Sequence, residues 1–153
     1  MVGHMALHLH LEVRNPGGPA PEEALLAVVI EKRDVEGQPV RFYGVVGAKD
    51  DVVSRGFLAA SMRQLSDAST EWLPQLTMQN PQPLAAGEVI QVAIELYPHA
   101  TLFRAGETLE VVIAGHELAR TPPLLKDFSD NHGTHVVHTG GDHGSYLLVP
   151  TLP

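Results

Sequence analysis

The sequence contains no cysteine. That excludes a disulfide framework, a thiolate zinc site and a cysteine nucleophile, and leaves the redox compartment open. Aromatic residues make up only 5% of the chain, which supplies a stacking platform for sugars or bases thinly. Trp72, Tyr43 and Tyr97 are the candidates, and each reads as a core or interface anchor. Basic residues are scarce too: 10 Lys and Arg stand against 18 Asp and Glu, for a formal charge of −8. The only adjacent basic pair, Lys32-Arg33, is flanked by Glu31 and Asp34. Nucleic-acid binding needs a concentrated basic surface, so no nucleic-acid partner is expected. No apolar run approaches bilayer length, so no membrane partner is expected.

A chain of 153 residues fits one domain and can bury about 70% of its unfolded surface without staples. Met1-Val2-Gly3-His4-Met5 lacks the charged start and long apolar stretch of a signal peptide. Residues 1–5 read as a remnant ahead of a second methionine, residues 6–153 as a single β-sandwich domain, and the expected location is cytoplasmic.

What is present is alternation. Leu7, Leu9, Leu11 and Val13 fall on one face of an extended segment, with His8, His10 and Glu12 on a solvent face opposite. Asn15 to Pro19 can only be loop. Glu22 to Val35 is ambiguous. Its first residues are good helix formers with acids early and Lys32-Arg33 late, but Val28-Val29-Ile30 is β-branched and Glu36-Gly37 marks a turn. A hairpin from about Leu25 to Val46 accounts for both halves. Gly56 to Met62 is a short strand, and Asp67 to Pro83 an irregular crossing loop. Val89 to Tyr97 alternates with Ile90, Val92, Ile94 and Leu96 inward, and Thr108 to Gly115 with Leu109, Val111 and Ile113 inward. A loop follows from Glu117 to about Gly133, then strands near Thr134–His138 and Ser145–Val149. Some eight short strands with Gly/Pro-rich turns make an all-β sandwich or jelly roll.

Chemistry is harder to find. A serine hydrolase needs Gly-x-Ser-x-Gly on a strand-to-helix turn. Val52-Val53-Ser54-Arg55-Gly56 has only the second glycine, so Ser54, Ser61 and Ser145 read as strand or turn serines. Nine histidines are many, and His132, His135, His138 and His143 lie close in sequence. Zinc needs three or four ligands converging on one point, whereas an odd separation sends His135 and His138 to opposite faces of a strand. Turn and surface histidines with backbone partners are the favoured reading, and His8 and His10 form a same-face pair. Gly140-Gly141-Asp142-His143-Gly144 has no following helix or P-loop lysine, and a turn with positive φ explains its glycines equally well. Glu22-Glu23 and Asp50-Asp51 read as solvated acids. No catalytic, cofactor-binding or metal-binding residue is assigned, and no cofactor is expected.

The second half carries a resemblance. Val92 to Pro98, Phe103-Arg104-Ala105-Gly106 and Leu109 to Gly115 form an ordered series, closed by His138 to Pro150 and preceded by Arg55 to Ser61 with Trp72. From about Ser54 to Pro153 the chain resembles the C-terminal domain of X-Pro dipeptidyl-peptidases and of the related cocaine-esterase and α-amino-acid ester hydrolase group. The first fifty residues fit only loosely. The resemblance implies a jelly-roll β-sandwich similar to galactose-binding-like domains, packed on an α/β-hydrolase catalytic domain and helping to wall its substrate cleft. It also implies that the Ser-His-Asp triad lies in that other domain, so the isolated chain is not expected to be an enzyme. A detached domain should expose a large apolar patch, and the isolated chain is then expected to form a homo-oligomer that covers it. Two other readings remain: a free-standing carbohydrate-binding β-sandwich module, and a small metalloenzyme using the histidine cluster.

Overall fold

Alternating apolar residues place their side chains on one face of an extended backbone, and two such faces bury each other as a sandwich. The computed structural model describes residues 1–18, 21–44, 49–116, 118 and 131–152. Its strands are β1 (Val2–Arg14), β2 (Leu25–Arg33), β3 (Pro39–Val40), β4 (Ser54–Ala59), β5 (Val89–Ala100), β6 (Thr108–Ala114), β7 (Thr134–His138) and β8 (Tyr146–Leu148). A 3₁₀ turn, Ala60–Met62, follows β4, and there is no α-helix among the described residues. The jelly-roll β-sandwich expected from the sequence is realised as two four-stranded antiparallel sheets.

Each sheet is organised around one central strand. In the first, β1 pairs with β5 along one edge; along the other, β7 takes His10–Arg14 and β8 takes Ala6–His8. In the second, β2 pairs with β6 on one side, and with β4 and then β3 on the other. Val2–Met5 open β1: Val2 pairs with Ala100, the register shifts between Gly3 and Met5, and Met5 is fully buried.

The core joins Met5, Leu7, Leu9, Leu11 and Val13 of β1 to Ile90, Val92, Ile94 and Leu96 of β5. Leu26, Val28 and Ile30 of β2 face them from the other sheet. Leu109, Val111 and Ile113 are partly buried against this core, inward as expected. Strand β2 differs from the others because Leu25, Ala27 and Val29 are buried as well. A strand buried on both faces reads as a continuous apolar run.

The Leu25–Val46 hairpin is found in shortened form. Asp34 caps its turn, with Oδ1 accepting from the amides of Glu36 at 2.9 Å and Gln38 at 2.8 Å. The returning strand is only Pro39–Val40, after which Phe42 bridges to Asp51. The expected end of that strand, 45–46, lies outside the described residues, as does most of the loop expected at 117–133. The 67–83 segment is irregular, with one bridge tying Leu65, just ahead of it, to Leu76 near its middle.

The two sheets also meet edge to edge. On β4, Ser54, Gly56 and Leu58 are buried while Phe57 is exposed. Ser54 Oγ donates to the Tyr97 carbonyl of β5 at 2.6 Å. A Cβ on Gly56 would collide with the Glu95 carbonyl and lie 2.9 Å from Leu96 Cδ2 and 3.0 Å from Ile94 Cγ2. Small inward residues on β4 therefore let it rest directly on the β5 backbone.

One charge is taken into this interior. Lys32 is 7% exposed, and its Nζ lies 2.7 Å from Glu107 Oε2, 2.8 Å from the Leu102 carbonyl and 5.3 Å from the Phe103 ring centre. A desolvated ammonium is tolerated only with partners of this kind, so it fastens the β5–β6 connection to β2. The Lys32 ammonium, with the Arg104 amide, holds the Glu107 carboxyl below its ordinary value. A depressed folded pKa gives stability that is present above the unfolded carboxylate pKa and lost as pH falls through the folded one. Glu107→Gln should therefore lower the urea midpoint at neutral pH, and the two proteins should converge in acid. Equal midpoints at neutral pH would contradict the pairing.

Candidate interaction surface

A nucleophilic serine needs its hydroxyl proton within reach of a base. Each serine considered from the sequence gives that proton elsewhere. Ser54 gives it to the Tyr97 carbonyl, Ser61 to the Glu23 carboxylate, and Ser145 to the His138 carbonyl at 2.6 Å. Glu23 also accepts from the Ser61 amide at 2.9 Å. It is half-buried rather than a freely solvated acid. Asp51 likewise binds Arg55 and the Val52 amide.

The histidines separate by strand parity. His135 pairs with Val13 of the inward row, and burial pushes its imidazole below the ordinary histidine value. His138 pairs with His10 of the outward row. His132 is exposed. His143 reaches back over β1, its ring centre 5.3 Å from His10 and 5.6 Å from His138. Among the described residues, no three His, Asp or Glu side chains are placed to hold a metal ion.

The face bearing His8, His10 and Glu12 is not the open solvent face expected. Both histidines are half-buried and Glu12 is 7% exposed. Glu12 accepts from Arg14 Nε at 2.6 Å and Nη2 at 2.7 Å, and His138 Nε2 lies 3.2 Å from its Oε2. The Arg14 hydrogen bonds, helped by His138, hold the Glu12 carboxyl below its ordinary range against the opposing effect of burial. His8 stacks on Tyr146 with ring centres 4.7 Å apart and meets the Glu71 carbonyl at 2.9 Å. Tyr146 Oη donates to Glu71 Oε1 at 3.3 Å. The 67–83 loop is thereby fastened over the outside of the first sheet. Sequence periodicity assigns the face correctly but does not reveal that a distant loop covers it.

Two grooves lie against β5 and share Ala93. One, of about 250 Å³, lies between His8, His10, Arg63, Leu65, Gln91 and Tyr146. The other, of about 380 Å³, lies between Phe57, Pro74, Leu76, Met78 and Tyr97. Its walls expose Phe57 by 40%, Met78 by 66% and Tyr97 by 58%. Convergent exposed apolar side chains mark a surface suited to a partner. Tyr97, read from the sequence as a core or interface anchor, lies outside the core. Phe57 and Met78 are not singled out by the sequence, because no local pattern distinguishes them. Trp72 is 45% exposed on the same loop and so is not a core residue, while Tyr43 is 85% exposed.

Ser145 is the bracket of this face, since its Oγ also accepts from the His10 amide at 3.0 Å. Ser145→Ala leaves that amide and the His138 carbonyl without this partner, a loss of about 1–3 kcal/mol. Chemical denaturation should show it, and an unchanged midpoint would exclude the bracket.

With this geometry in place, the comparisons with known proteins are informative. Residues 1–148 match the family described as the X-Pro dipeptidyl-peptidase C-terminal non-catalytic domain. The match includes the first fifty residues, beyond the Ser54–Pro153 span legible by resemblance. Two crystal structures of a CocE/NonD family hydrolase from Staphylococcus aureus superpose with a TM-score of 0.86 and 32% identity over 96% of this chain. The chain spans only 27% of that hydrolase's length. No curated protein sequence matches it. The chain belongs to the X-Pro dipeptidyl-peptidase C-terminal non-catalytic domain family.

Proposed function

We propose that this chain is the accessory C-terminal module of a serine hydrolase of the X-Pro dipeptidyl-peptidase or acyl-esterase type. It packs on an α/β-hydrolase catalytic domain and helps to shape that domain's substrate cleft. The observation that carries this reading is the match of nearly the whole chain to a non-catalytic family, together with its alignment to about a quarter of a CocE/NonD hydrolase. The committed serine hydroxyls agree with it: none meets an imidazole, and each stabilises the sandwich instead. Function follows from the site rather than the fold, and the exposed apolar surface beside β5 suits packing better than turnover.

The test is a direct assay of the purified chain on p-nitrophenyl acetate and on an Ala-Pro p-nitroanilide. No turnover above the uncatalysed rate is expected with either. Hydrolysis that disappears in Ser54→Ala, Ser61→Ala or Ser145→Ala would place a nucleophile in this domain and overturn the reading.

A further inference from the structure

We propose that the groove over His8, His10 and Gln91 is a binding site for a small aryl monocarboxylate, whose anionic end pairs with Arg63 and whose ring lies against Leu65 and the His8–Tyr146 stack. This site is separate from the accessory role proposed above, and neither depends on the other.

The hollow follows from strand register. On the outer face of the first sheet, His10 stands opposite Gln91 and His8 opposite Ala93. Ala93 is the short member of this group, so the face dips above it. Arg63 and Leu65 come from the stretch after the 3₁₀ turn, and Tyr146 from β8. The groove they wall is about 250 Å³. Sites for drug-sized ligands run to roughly 300–1,000 Å³, so the ligand here is small.

Charge distinguishes this groove from the rest of the surface. The chain carries a formal charge of −8, yet the lining holds an arginine, two histidines and no Asp or Glu. Arg14, Arg33, Arg41 and Arg55 each pair with a carboxylate. Arg63 has no such partner among the described residues. It is braced by backbone instead: Nη1 donates to the Ala60 carbonyl at 3.2 Å and to the Gln82 carbonyl at 2.5 Å. Those two bonds use both Nη1 protons and fix the guanidinium plane. Its Nε and Nη2 make no hydrogen bond to a described residue, and neither is sealed from solvent. Side by side, they form the fork that takes a carboxylate bidentately. A fork held in place beforehand loses little freedom on binding. With one full positive charge and one planar fork, the groove suits a planar monoanion better than a dianion.

The remaining lining selects the rest of the ligand. His8 and Tyr146 stack with planes 12° apart, and Leu65 is 44% exposed. A flat ring packs well against aromatic and aliphatic surface of this kind. The Tyr146 hydroxyl is already given to the Glu71 carboxylate, which turns an anion away from Tyr146 and toward Arg63.

The test is a titration of the isotope-labelled chain with sodium benzoate, followed through its amide resonances. Saturable shifts of the β1 and β5 amides around His8, His10 and Ala93 are expected. Benzamide, the uncharged isostere, should bind at least about tenfold more weakly, as the loss of a charge-assisted hydrogen bond requires. Arg63→Lys keeps the charge but not the fork and should weaken benzoate by about the same factor. Ala93→Leu fills the floor of the groove without touching Arg63 and should abolish the shifts. No saturable shift by about 50 mM benzoate would overturn the proposal, since a ligand of this size that fits should bind more tightly than that. Benzamide binding as tightly as benzoate, shifts centred on Phe57 and Tyr97 instead, or unchanged binding in either variant would overturn it as well.

Discussion

The arrangement depends on how closely β4 can approach β5. Ser54 and Gly56 turn their small inward sides to the β5 backbone, where the Ser54 hydroxyl binds the Tyr97 carbonyl and Gly56 leaves no room for a Cβ. That contact closes one side of the sandwich without a connecting strand. It also sets Phe57, the outward neighbour of Gly56, beside Tyr97 across the apolar groove. One steric allowance therefore serves both core and surface: the strand that seals the interior presents the wall of the candidate contact site.

Polar groups in this domain act as fasteners. Lys32 and Glu107 bind the β5–β6 connection to the second sheet. Asn131 spans three segments: its Oδ1 accepts from the Leu25 amide at 2.9 Å, and its Nδ2 donates to the Leu25 and Gly115 carbonyls at 2.9 and 2.7 Å. Ser145 joins β1 to the end of β7, and Glu23 takes the Ser61 hydroxyl and amide. A catalytic group must instead keep a proton or lone pair available to substrate. Groups engaged in this way suit a domain that serves by its shape and surface.

Much of this was legible from the chain itself. Strict alternation in β1, β5 and β6 assigned inward and outward rows, and parity separated His135 from His138 before any coordinates. Strand β2 was ambiguous because burial on both faces removes alternation, so Leu25 to Ile30 reads as helix or strand with similar ease. The resemblance was clear only from Ser54 onward, although the family match begins at residue 1. The groove was illegible: Phe57, Met78 and Tyr97 are distant in sequence and meet only because β4 lies on β5 and the long loop folds back. Nor does composition foretell the positive φ that displays Met78.

The most direct measurement is the unfolding free energy of Gly56→Ala beside Gly17→Ala, where a Cβ would meet nothing within 4 Å. Replacing glycine with alanine at a compatible position stabilises a protein by about 0.4–1 kcal/mol through the unfolded chain. If the β4–β5 approach is the controlling constraint, Gly17→Ala is neutral or stabilising, and Gly56→Ala destabilises by about 1–3 kcal/mol through overpacking. A Gly56→Ala protein as stable as the parent would contradict the account, because the two strands would then have room to spare.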